Sequence, residues 1–342
     1  MSTIEPIAVR ADAPVVLDVP PAHLELAWRP LQLRDAEPFH GLLQAIETAD
    51  SAQERTSAEE VVEMLTGPWT DLAADTLGGF DDSGTIRAYA IVEVPPGDTL
   101  LRAYLRGAVH PAWRGRGIGR AVVAWLEGRG RQKLAESGQD LPARLAVLVE
   151  ENARDHRRLY AAAGFSPIRW YTTMRRDLSA PLPSASVPEG LRIVGWDDEL
   201  DEQVRLAHNE AFADHWGSQP QTRESWTHRD AQFTPAWSYV ALDGSGGAPE
   251  VAGYLISGRY DQDWEVLGYT CGSTDVLGVR RPWRGRGLAA SLLATAMEAY
   301  RADGMEYASL RVDTANPTGA LGLYERLGYQ ATHGYVMYSV EI

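Results

Sequence analysis

The chain has 342 residues, a formal net charge of −15 and a single cysteine, Cys271. That length suits two ordinary domains, and the acidic balance argues against broad affinity for nucleic acid or an anionic membrane while suiting a cationic substrate. One cysteine excludes an internal disulfide framework; with no signal peptide or apolar run of transmembrane length in view, the expected location is the cytoplasm.

Residues 1–23, rich in Pro and Ala, read as an N-terminal extension. A first domain, 24–178, opens with a helix over Asp35–Thr48 and continues with strands over Ile86–Val94 and Leu100–Val109. The loop Arg114-Gly115-Arg116-Gly117-Ile118-Gly119 comes next and opens a helix whose Ile118, Ala121, Val122, Trp125 and Leu126 make one apolar stripe. A strand over Arg144–Val149 precedes Asn152, Tyr160 and the pair Gly164-Phe165. Pro and Ser in SAPLPSASVP mark a linker at 179–189.

The second domain, 190–342, repeats this order. A helix over Leu200–His215 leads into strands at Ser238–Leu242, Val251–Ser257 and Val266–Val279. Arg284-Gly285-Arg286-Gly287-Leu288-Ala289 then opens a helix with Leu292, Leu293, Ala296, Met297 and Tyr300 on one face. A strand over Ala308–Val312, Asn316, Tyr324 and Gly328-Tyr329 complete the copy. The loops lie 170 residues apart and the asparagines 164, so the first copy carries six extra residues, expected in the Ser137–Ala143 connection. Strands come mostly before the loop, with one strand–helix–strand crossover after it. The fold class is therefore α/β with a mixed, mostly antiparallel sheet, not a doubly wound one.

Each loop can cradle a diphosphate. Glycines at its second and fourth positions let the backbone approach, the helix N-terminus offers N–H groups, and the arginines add charge. A dinucleotide fingerprint needs G-x-G-x-x-G early in a domain, and a P-loop needs Gly-Lys-Ser/Thr; neither is present. An arginine-rich helix cap without ligand is the plain alternative for one loop, and the matched repeat weakens it.

An R-x-x-G-x-G/A loop after a strand, followed by Asn, Tyr and a Gly-aromatic pair, resembles the GNAT (Gcn5-related) N-acetyltransferases, here in tandem over nearly all of residues 24–342. The two-domain plan is similar to that of the mycothiol synthases. The resemblance implies acetyl-CoA as cofactor, with pantetheine between two splayed parallel strands near Val109 and Val279. It implies cofactor contacts from residues 114–119 and 284–289, with Asn152 and Asn316 near the pantetheine or pyrophosphate and Tyr160 and Tyr324 near the sulfur. It also implies a catalytic C-terminal domain, leaving the first non-catalytic or degenerate.

Acetyl transfer to an amine needs a proton acceptor for the ammonium, a donor to the developing oxyanion, and a proton or hydrogen bond for the leaving thiolate. A thiol has a pKa near ~8.5 and a phenol near ~10, so Tyr324 suits the last task; its plain reading is a core tyrosine. Alternation over Tyr269–Val279 puts Cys271, Ser273, Asp275 and Leu277 on one face if no bulge intervenes, which makes Asp275 the candidate base or simply a strand-edge carboxylate. Its first-copy counterpart by the loop offset is Leu105, and that strand has no carboxylate. Asp214, His215 and Trp216, at the end of a helix, could recognise the acceptor or merely close the helix. Cys271 reads as a small core thiol more readily than a nucleophile, and the histidines show no metal spacing. The expectation is a small-molecule amine acetyltransferase, monomeric or homodimeric, with no nucleic-acid or membrane partner. The alternatives are a cysteinyl-amine acetyltransferase like the mycothiol synthases, or an acetyl-CoA sensor or scaffold.

Overall fold

A computed structural model describes residues 5–184, 186–227, 231–315 and 319–342. The chain forms two compact units, Met1–Arg169 with Tyr335–Ile342, and Trp170–Gly334.

The first unit holds α1 (Ile7–Arg10), β1 (Ala27–Arg29), α2 (Ala36–Asp50), α3 (Ala58–Thr66), α4 (Leu72–Asp75), β2 (Thr76–Phe80), β3 (Ile86–Glu93), β4 (Leu101–Val109), α5 (Ile118–Glu136), β5 (Ala143–Glu150) and α6 (Arg154–Ala162). Its strands run β1-β2-β3-β4-β5, and Tyr335–Glu341 of β12 (Gln330–Glu341) then pairs antiparallel with β5. Only β4 and β5 are parallel. The second unit holds part of β6 (Ser166–Asp177), then β7 (Leu191–Gly195), α7 (Asp201–Ala211), α8 (Arg223–Thr227), β8 (Tyr239–Asp243), β9 (Glu250–Gly258), α9 (Trp264–Leu267), β10 (Cys271–Val279), α10 (Leu288–Ala302), β11 (Tyr307–Asp313) and α11 (Ala320–Arg326). Its order is β7-β8-β9-β10-β11-β6, again with one parallel pair, β10 and β11.

Each unit thus takes its last strand from the other copy's stretch of sequence. The divisions at 178 and 190 expected from sequence differ from these units for that reason: β6 follows the first copy but Tyr171–Asp177 pair with β11. The segment expected as a linker, 179–189, lies within the second unit, where the Pro181 carbonyl accepts from Arg176 and the Ser186 carbonyl from Ser291. The N-terminal segment is also more than an extension. Ile7 is buried in the first unit's core, and Arg10 donates to the carbonyls of Leu141 and Ile342.

Two smaller differences have local causes. The six extra residues of the first copy lie mainly in the helix, 19 residues in α5 against 15 in α10, with the remainder in the following connection. Val266 and Leu267 are helical rather than extended, because Gly268 at φ 75° ends α9 and re-aims the chain into β10.

Candidate active site

The two loops share one backbone design. Gly115 and Gly117 have φ of 79° and 91°, Gly285 and Gly287 of 73° and 88°, a left-handed conformation costly for any side chain. The sixth position has no such demand, which accounts for Gly119 in one copy and Ala289 in the other. Ile118 and Leu288 are buried and anchor the first helical turn to the core. Among the described residues, the amides of 115–119 and 285–289 have no protein acceptor, and neither helix has a carboxylate in its first turn. Such convergent amides at a positive helix end fit a diphosphate.

The arginines separate the copies. Arg114 donates through Nε to the Val109 carbonyl (3.1 Å) and through its terminal nitrogens to the Asp50 carboxylate (2.5 and 2.8 Å). Arg284 repeats the first bond on the Val279 carbonyl (3.0 Å), but its terminal nitrogen meets the Ala211 carbonyl (2.7 Å). Arg116 lies 3.5 Å from the Glu25 carboxylate, while Arg286 donates to the Glu189 carbonyl at 3.2 Å. The first-position arginines therefore brace loop to strand, a role the sequence reading did not assign. Both arginines pair with carboxylates in the first loop, whereas in the second they donate to main-chain carbonyls, with the Asp243 carboxylate also in electrostatic reach of Arg286.

Beyond the loop lies the strand pair. β4 and β5 pair only from Leu101–Tyr104 with Ala143–Ala146, and β10 and β11 only from Cys271–Thr274 with Tyr307–Leu310; past those rungs each pair parts. Arg280 N donates to the Ala252 carbonyl and sets the ladder phase, so the main-chain groups of Leu277 and Val279 turn toward the opening. Motif spacing did not indicate this placement of Leu277.

The strands differ in one residue. β4 pairs with β3 without interruption, whereas in β10 the register against β9 slips between Thr274 and Val276, leaving Asp275 as the bulged residue. Gly272 and Thr274 face Tyr300 of α10 before the bulge, and Leu277 and Val279 join the α10-side core after it. Leu277 therefore does not share a face with Cys271, Ser273 and Asp275, because the bulge shifts the alternation by one. The ladder also corrects the copy alignment: Thr274 opposite Ser257 corresponds to Leu105 opposite Val92, and Asp275 has no counterpart. Asp275 is exposed, accepts from Ser273 Oγ (2.7 Å), and lies over Gly258, where a Cβ would come within 2.4 Å of its Oδ2.

The tyrosines are matched. Tyr160 packs edge-on against Phe165 and Tyr324 against Tyr329, with centroids 5.5 and 5.9 Å apart. Burial drives the Tyr160 phenol far above its ordinary range and pushes Tyr324 up to about 12. Among the described residues no hydrogen bond reaches the Tyr324 hydroxyl. Both phenols stay protonated at neutral pH and keep a proton to donate. Asn152 is exposed in the turn before α6, its carbonyl accepting from Arg154 N; Asn316 lies outside the described residues.

Asp214 forms an ion pair with Arg281, and Glu210 meets Arg280 at 2.6 Å, tying the end of α7 to the approach of the second loop. His215 tilts onto Phe212 (5.4 Å), and Trp216 sits half-buried in the next turn. Cys271 is buried, and burial raises its thiol to about 11, which leaves little thiolate to act as a nucleophile.

Residues 202–329 match the acetyltransferase (GNAT) family and residues 79–167 an acetyltransferase (GNAT) domain. The chain belongs to the GNAT family, with two domains in tandem, and is an acetyl-CoA-dependent acetyltransferase. It is 33% identical over 271 residues to the mycothiol acetyltransferase of Thermobispora bispora, a match spanning 77% of this chain and 80% of that protein. A GCN5-related N-acetyltransferase from Sphaerobacter thermophilus superposes with a TM-score of 0.69 at 27% identity, covering 93% of this chain and 96% of that one. A tandem GNAT protein from the clavulanic acid biosynthesis pathway shares the fold, with a TM-score of 0.67 at 20% identity over 93% and 98% of the two chains.

Proposed function

We propose that the second unit carries the chemistry, transferring acetyl to the primary amine of a small molecule, and that the acceptor is a cysteinyl amine of the kind handled in mycothiol synthesis. The first part rests on the bulge at Asp275, which places a carboxylate and irregular main chain where the strands part and which β4 lacks. The second part is supported by the relatives named mycothiol acetyltransferase.

Acetyl-CoA, when bound, supplies the acetyl group as a thioester. The amides of 285–289 hold its diphosphate, and the main chain of Leu277 and Val279 orients the arm. Asp275, steadied by the Ser273 hydroxyl, takes the ammonium proton directly or through water. Main-chain N–H groups at the parted strand stabilise charge developing on the acetyl oxygen. Tyr324, with its pKa near 12, donates a hydrogen bond to the sulfur. Full proton transfer to a thiolate from so weak an acid is uphill, so the hydrogen bond is its contribution. Asp214, His215 and Trp216 border the acceptor side, and the first unit serves as a cofactor-binding or degenerate partner domain.

Matched substitutions test this. Gly287→Val forces a β-branched side chain to φ 88° and is expected to cut turnover by roughly 10²-fold through lost cofactor positioning. Gly117→Val, equally strained in the first loop, should leave turnover within about twofold. The reverse pattern moves the chemistry to the first unit. Chromatographic assay with a cysteinylated amino sugar, a polyamine and an aminoglycoside identifies the acceptor; acetyl-CoA binding in calorimetry without turnover on any amine favours a sensor or scaffold.

A further inference from the structure

We propose that Tyr300 is a positioning residue for acetyl transfer, its phenol holding the β10 bulge from beneath so that Asp275 and the adjacent main chain keep their working geometry. The inference rests on the assignment of the chemistry to the second unit. Tyr300 lies on the last turn of α10 and is fully buried. Its Oη donates to the Ser273 carbonyl (3.1 Å) and lies 3.1 Å from Thr274 Oγ1 and 2.6 Å from Ser257 Oγ. Ser273 and Thr274 are the two residues before the bulged Asp275, and Ser257 faces Thr274 across the ladder. Ser257 Oγ in turn donates to the Trp237 carbonyl (2.7 Å), and Ser257 N donates to Ser238 Oγ (3.0 Å), so the network is anchored away from the opening. The ring itself lies against Gly272, where a Cβ would come within 2.5 Å of it.

The first unit shows what the same place looks like when the strand is straight. Gly130 stands sixteen residues after Arg114, as Tyr300 stands sixteen after Arg284. An added Cβ there would meet Leu145 and Leu105, so the space beneath β4 is filled by aliphatic side chains. Packing alone is thus satisfied without polar groups. Burying three hydroxyls under β10 costs free energy unless each is bonded, and what they bond is the bulge and its neighbour strand. Polar groups retained there point to a shape requirement rather than a stability one.

Tyr300→Phe keeps the ring over Gly272 and removes the hydroxyl. It is expected to lower kcat about tenfold while the calorimetric affinity for acetyl-CoA stays within about twofold. Thr274→Val removes a partner instead of the phenol, and the double variant should lose less than the product of the two single losses. Wild-type kcat in Tyr300→Phe, or a kcat loss matched by an equal loss of cofactor affinity, overturns the proposal; so does a multiplicative double variant. If Tyr300→Phe unfolds at the assay temperature, Thr274→Val and Ser257→Ala carry the same test, and wild-type kcat in both overturns it. Turnover that survives Gly287→Val defeats the underlying assignment, whereas an inactive Gly287→Val beside a fully active Tyr300→Phe defeats only this inference.

Discussion

β4 and β10 end on the same loop, leave the same gap beside a parallel neighbour and both span nine residues, yet only β10 is bulged. Above β4 the loop arginines pair with the carboxylates of Asp50 and Glu25; above β10 they donate to main-chain carbonyls, with Asp243 in electrostatic reach of Arg286. Below β4 lies Gly130 among leucines, and below β10 lies Tyr300 among hydroxyls. The two units therefore share one loop backbone, while the partners above the strand and the polarity beneath it differ together. On the proposed reading a phosphate cradle by itself does not mark a catalytic domain, and the strand feeding it does.

The largest effect that would sharpen this contrast comes from chain ends. Deleting Tyr335–Ile342 removes the strand paired with β5, including the buried Val336 and Tyr338. Buried side chains of this size are worth about 1.5–3 kcal/mol each, against typical stabilities of about 5–15 kcal/mol, so the first unit should unfold at a markedly lower temperature in calorimetry. Asp275→Asn should lower kcat about 10²–10³-fold at neutral pH with little change in acetyl-CoA affinity; unchanged kcat would leave the bulge without its proposed proton acceptor. Tyr324→Phe should cost about 10–10²-fold in kcat, and the matching Tyr160→Phe less than about twofold.

The smallest effect is on stability against pH. His208 is stacked on Phe212 and bonded to the Tyr254 hydroxyl, and burial lowers its pKa to about 4. The unfolded chain takes up that proton below about pH 6.5. Stability from the neutral imidazole is therefore complete above pH 6.5 and is lost as pH falls toward 4, by roughly 2–3 kcal/mol. Denaturant melts of the second unit at pH 7 and 4.5 should show the loss, and His208→Gln should flatten it.

Much of the arrangement was legible before any coordinates. The glycine spacing marked both cradles, because left-handed backbone and close approach admit few other residues, and the apolar stripes from Ile118 and from Leu292 marked both cofactor helices. The strand exchange was not legible: alternation in β6 and β12 shows which face is apolar but says nothing of which neighbour a strand pairs with. The bulge was hidden for a related reason. Ser273-Thr274-Asp275 is a polar run in a mostly apolar strand, a sign of irregularity, but an inserted residue declares itself only against its partner's register. Arg114 and Arg284 read as phosphate ligands because charge in a loop carries no address, and the Val109 and Val279 carbonyls supplied one.

Local sequence determined what each segment could be: two glycine cradles, two helices to present them, and the residue types for amine acetylation. Tertiary structure alone decided how the two copies differ, since pairing register, the side chains beneath a strand and the partner of each arginine depend on residues tens to hundreds of positions away, and no local pattern contains those distances.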